Sequence, residues 1–196
     1  MNASILNQKN MGLVAFVCAF ALLIACFKFS SLFADVYFQW TSLFSETFPK
    51  GEGYNLWLAL LIRFTIPALV GVLLGILFAP DMQASVTAGA FFGTLFLVWP
   101  AFLYFDIVIA EELWQYRYIL YFFYGLYLAF FTLAVYGGFS LGTRLVPLLP
   151  RFKFQTGEVI KLSVGRHILL PIAISLAGNL ITSTVLRDFV LRVLGG

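Results

Sequence analysis

Tyr118–Thr143, YILYFFYGLYLAFFTLAVYGGFSLGT, runs for 26 residues without Asp, Glu, Lys, Arg or His. At about 1.5 Å of rise per residue, a helix of that length crosses a bilayer hydrocarbon core of roughly 30 Å. Met82–Phe105 and Ile168–Leu186 are also free of charge. A soluble domain of this size has no need of three such stretches. The chain therefore reads as an all-α integral membrane protein. Its composition agrees: hydrophobic residues make up 62% of the 196 positions and charged residues only 11%, against a charged share of about 25% in soluble domains.

Working outward, two more apolar segments precede these runs. Met11–Phe33 is interrupted only by Lys28, and Leu56–Ala79 only by Arg63. The first follows Lys9, as a signal peptide would, but Met11–Phe27 is longer than an ordinary signal core, and Leu32-Phe33-Ala34 is a poor cleavage site. It is read as an uncleaved first span. The expected architecture is a single domain over residues 1–196, a compact bundle of about five transmembrane helices. The approximate spans are 11–33, 56–79, 82–105, 118–143 and 167–186.

Orientation follows from the distribution of Lys and Arg among the short loops. Arg144–Arg166 holds Arg144, Arg151, Lys153, Lys161 and Arg166 against Glu158 alone, whereas Asp35–Tyr54 and Asp106–Arg117 are rich in Asp and Glu. Placing the basic loop and Lys9 in the cytoplasm sets the N-terminus inside and the C-terminus outside, as expected for a bacterial inner (cytoplasmic) membrane. The bases at 144–166 also suit anionic lipid headgroups. A net charge of +3 is too small to argue for nucleic acid. In the first outer loop, Trp40, Leu43, Phe44 and Phe48 share a helical face, which predicts a short interfacial helix or a cap over the bundle.

Polar groups inside apolar spans carry the functional leads, because burying them is costly. Lys28 lies near the end of its span and can snorkel. Arg63 sits about two turns inside the second span, one turn ahead of Pro67. It is expected to snorkel, to pair with the outer acids Asp106, Glu111 or Glu112, or to bind an anionic lipid or solute. Tyr121, Tyr124 and Tyr127 lie on one broad face of the fourth span and Asn179 near the centre of the fifth, with Ser175, Thr182 and Ser183 close to it. Together with Arg63 these are candidates for a ligand or transport site, or for interhelical hydrogen bonds. Pro171 is expected to distort the start of the fifth helix.

Small residues recur at four-residue spacing: Gly71 and Gly75; Ser85, Gly89 and Gly93; Gly138 and Gly142. Such ridges let helix backbones approach closely, within one bundle or between subunits.

Several chemistries are set aside. His167 is the only histidine, so a His-based metal cluster or bis-His haem site within one chain is excluded. Cys18 and Cys26 stand about 12 Å apart along one helix, too far to bridge. No phosphate-loop, dinucleotide or zinc-protease fingerprint is present, and no cofactor is expected. Glu111-Glu112 superficially resembles the paired glutamates of the CPBP (CAAX-protease and bacteriocin-processing) membrane family. That motif reads EExxxR, whereas Arg117 falls one position late, and the family's further His motifs are missing. An intramembrane enzyme using Glu111 and Glu112 is therefore the weakest reading. The expectation is a non-catalytic subunit or assembly partner of a larger membrane complex, with other membrane subunits or a homo-oligomer as partners. The alternative is a small-solute or lipid transporter with a polar site around Arg63.

Overall fold

The computed structural model describes residues 10–25, 61–108, 117–146 and 163–194. Among the described residues there are five helices and no strand. They are α1 (Asn10–Ala25), α2 (Ile66–Leu77), α3 (Gln83–Val108), α4 (Arg117–Leu145) and α5 (Leu170–Leu194). A π-helical turn, Leu61–Thr65, leads into α2, and a second, Gly165–Leu169, leads into α5. The expected interfacial helix at 35–48, Lys28, Glu111, Glu112 and most of the basic 144–166 loop lie outside the described residues. So do the side chains of Asp106 and Tyr124.

Two described stretches are long and apolar enough to cross a membrane, Tyr121–Leu145 and Gly165–Thr182; Asn10–Ala25 and Arg63–Leu77 are shorter apolar helices. The turn between α2 and α3 is built from a cap and a proline. Phe78 closes α2 by donating its N–H to the Leu74 carbonyl at 2.9 Å. Pro80 cannot continue the helix it follows, but its fixed φ starts a 3-10 turn, Pro80–Met82, that feeds directly into α3.

The side-chain pairings give the helix directions. Gly71 faces Val135 and Gly75 faces Phe139, so α2 and α4 advance together and are parallel. Gly89 faces Phe16 and Gly93 faces Phe20, so α1 and α3 are parallel too. In contrast, Tyr136 meets His167 while Phe130 meets Ser175, so α4 and α5 are antiparallel. Helix α5 thus runs against both α4 and α2.

Small residues set the spacing. A Cβ on Gly138 would run into the Ala68 carbonyl, and one on Gly142 into that of Val72; Gly71 and Gly75 stand in the same relation to Val135 and Phe139. Glycine pairs on both helices therefore admit the partner's backbone. The apolar core joins α1 to α4, with Ala15, Ala19, Leu23, Leu74, Val86, Ala90, Val135 and Phe139 all inaccessible. Helix α5 docks on α4 differently, through buried Ser175, Asn179 and Thr182 together with Ile168 and Pro171.

Candidate functional site

Helix α4 is the element on which the polar contacts meet, and they do so at two levels. At the first, Pro67 has no N–H to donate to the turn before it, and its ring crowds the carbonyl four residues back, that of Arg63. The backbone answers with the π turn Leu61–Thr65, the wider form that commonly appears as a single turn within α-helices. This turn carries the half-buried Arg63, whose guanidinium carbon lies 4.2 Å from the centroid of the Tyr127 ring. A cation over an aromatic face contributes about 0.5–2 kcal/mol, more where water is excluded. The Arg63 turn also touches α5.

At the same height on α4, Ser175 of α5 donates its hydroxyl to the Phe130 carbonyl at 2.6 Å. One turn on, Asn179 is completely buried and donates Nδ2 to the Ser175 carbonyl at 2.9 Å. Exchanging the two amide ends would set Oδ1 against that carbonyl, so the orientation is fixed by the contact. No donor among the described residues reaches Oδ1. A buried acceptor left without a donor costs about 1–3 kcal/mol.

The second level lies nine residues further along α4, about 13.5 Å at helical rise. There the Tyr136 hydroxyl and His167 Nδ1 are 2.8 Å apart. With the ring proton on Nε2, Nδ1 accepts a hydrogen bond from the phenol; with it on Nδ1, the ring donates to the phenol oxygen. Gln83, at the start of α3, donates Nε2 to Ser140 Oγ at 2.6 Å and approaches the Tyr136 carbonyl at 3.3 Å. His167 stands in the π turn Gly165–Leu169, where Leu170 donates its N–H five residues back to Gly165. Pro171 follows, so this turn has the same cause as the first.

The sequence-derived candidates thus fall into three groups. Arg63, Tyr127 and Asn179 are brought to one level where α2, α4 and α5 meet. Tyr121 packs edge-on against Tyr118 with ring centroids 6.5 Å apart. Tyr124, Asp106, Glu111 and Glu112 lie outside what is described of side chains. The threonines near these sites mostly satisfy themselves: Thr132, Thr182 and Thr184 each donate to the carbonyl four residues back. The Tyr136–His167 contact was not among the sequence-derived candidates. Its signal was available as a titratable side chain four residues before a proline, the relation that Arg63 bears to Pro67.

Chemically, the two levels hold hydrogen bonds and a cation on a ring. Among the described residues no three of His, Cys, Asp and Glu gather as a metal site would require. Comparison with known protein families, curated proteins and solved structures yields no match to this chain.

Proposed function

We propose that the chain is a multi-pass protein of the bacterial inner membrane, with its N-terminus in the cytoplasm, acting as a non-catalytic subunit or assembly partner of a larger membrane complex. The observation that carries this reading is the outer face of α4. Tyr118, Phe122, Gly125 and Ala129 succeed one another along it, all exposed, and a Cβ on Gly125 would meet nothing within 4 Å. Gly125 and Ala129 repeat the four-residue small-residue spacing that elsewhere in the bundle admits a neighbouring helix. Exposed Leu69, Leu73 and Leu77 on α2 and Phe92 and Phe96 on α3 are the apolar surfaces such a protein offers to lipid. The test is native purification into nanodiscs followed by crosslinking and mass measurement. A larger species that Gly125→Leu dissolves, with insertion unchanged, supports the reading. A monomer with no crosslinked partner ends it.

A second reading is favoured by the meeting of Arg63, Tyr127 and Asn179: a small-solute or lipid transporter whose polar site they line. It requires that Arg63→Ala abolish uptake or ligand binding while abundance and insertion are kept. Loss of abundance alone would return Arg63 to a structural role.

A further inference from the structure

The two π turns repeat one arrangement. In Arg63-Phe64-Thr65-Ile66-Pro67 and in His167-Ile168-Leu169-Leu170-Pro171, a basic or titratable side chain stands four residues ahead of a proline. In both, that side chain reaches a tyrosine of α4: Arg63 lies 4.2 Å from the Tyr127 ring centroid, and His167 Nδ1 lies 2.8 Å from the Tyr136 hydroxyl. The chain beyond each proline is fixed in another way. Past Pro67, Gly71 and Gly75 are locked against the α4 backbone; past Pro171, Ser175 is bonded to the Phe130 carbonyl. Each proline interrupts the helical hydrogen-bond ladder between the two parts.

We infer that Leu61–Ile66 and Gly165–Leu170 are two hinged arms, and that Arg63–Tyr127 and Tyr136–His167 are the latches holding them to opposite halves of α4. The first arm rests on α5 as well as α4, at the level of Asn179. Asn179 is inaccessible, and its Oδ1 has no donor among the described residues. Swinging that arm uncovers Oδ1 on the side of the polar Arg63 turn, so the opened state can meet a donor that the closed state lacks among the described residues. The closed state is in turn held by the latch. The unsatisfied oxygen thus narrows the gap between the two states, the condition under which one contact controls an equilibrium. The inference goes beyond the functional readings and holds for a subunit or a transporter alike.

Residue-resolved hydrogen–deuterium exchange of the full chain in nanodiscs tests it. Arg63→Met is expected to speed exchange in Leu61–Ile66 and at the amides around Asn179. Tyr136→Phe is expected to speed exchange in Gly165–Leu170 alone. The expected acceleration is roughly 2- to 10-fold, the effect of one lost hydrogen bond or comparable contact on a local opening equilibrium. Pro67→Ala and Pro171→Ala restore the missing N–H, so each is expected to slow exchange in the turn before it. These two variants keep the test decisive should Arg63→Met fail to fold. Acceleration spread evenly over all five helices, or no slowing in either alanine variant, overturns the hinge.

Discussion

The α2–α4 and α1–α3 seams use the same four-residue glycine spacing and the same parallel direction, yet they are built on different contacts. Across α2–α4, glycines stand on both helices, and the place of each missing Cβ is taken by a main-chain carbonyl: Val135 and Phe139 on one side, Ala68 and Val72 on the other. Across α1–α3, the glycine pair is on α3, and α1 adds the single Gly12, whose missing Cβ lies 3.2 Å from Ser85 Oγ. Gly89 meets the Phe16 carbonyl and the Ala19 methyl, while Gly93 meets Phe20 no closer than 3.3 Å. Aromatic rings extend that seam, with Phe16 to Phe92 at 6.3 Å and Phe20 to Phe96 at 5.9 Å between centroids. The difference is one of clearance: the first seam has no room for a Cβ at any of its four glycines, whereas the second leaves 3.3 Å at Gly93, where the nearest Phe20 atoms are also main-chain.

That contrast predicts a graded series. Gly71→Ala and Gly138→Ala should have the largest effect, because backbone opposes the added methyl from the partner helix. Each is expected to destabilise by about 3 kcal/mol, the upper part of the overpacking range, in a reversible unfolding titration in mixed micelles. Gly93→Ala, with a 3.3 Å clearance, should cost about 1 kcal/mol or less in the same titration. Equal losses at Gly93 and Gly138 would erase the distinction between the seams.

Asn179→Leu sharpens the comparison from the polar α4–α5 contact. Replacing an amide that has an unsatisfied oxygen by an apolar group of similar size should leave stability unchanged or raise it by about 1 kcal/mol. A fall of several kcal/mol would show that Oδ1 has a partner beyond the described residues. Tyr136→Phe removes one hydrogen bond and should lower stability by about 0.5–1.5 kcal/mol. The smallest effect belongs to Gly125→Ala on the open face of α4. Its folding free energy should stay level or improve by up to about 1 kcal/mol through helix propensity. Any loss in subunit association in that variant would be seen separately, by mass measurement in nanodiscs.

Helices were legible in the sequence as long apolar runs without charges. The glycine ridges were visible as spacing at Gly71 and Gly75 and at Gly138 and Gly142, but spacing names no partner. A small-residue ridge fits any other, and only the three-dimensional register pairs these two with each other while leaving Gly125 open. Arg63 and Asn179 were found because a polar atom in an apolar run is conspicuous. Tyr127 was found as part of a tyrosine face, though its role as the ring beneath Arg63 depends on the 64-position offset between α2 and α4, the same that sets Gly71 against Val135. Tyr136 and His167 were passed over singly, one as an aromatic among many and the other as a lone histidine. Read together with the two prolines, they form a pattern that sequence contains.

The pairing of α2 with α4 also has a consequence for the order in which the chain is made. The glycine face of α2 finishes at Gly75, whereas the carbonyls that fill it belong to Val135 and Phe139. During synthesis, α3 and the whole of 109–116 emerge before that partner exists. For that interval α2 presents two notches matched to a helix not yet translated, and contacts of such long sequence separation form late. A ribosome paused ahead of α4 would thus hold out a half-built seam, open to whatever small-residue helix is nearest.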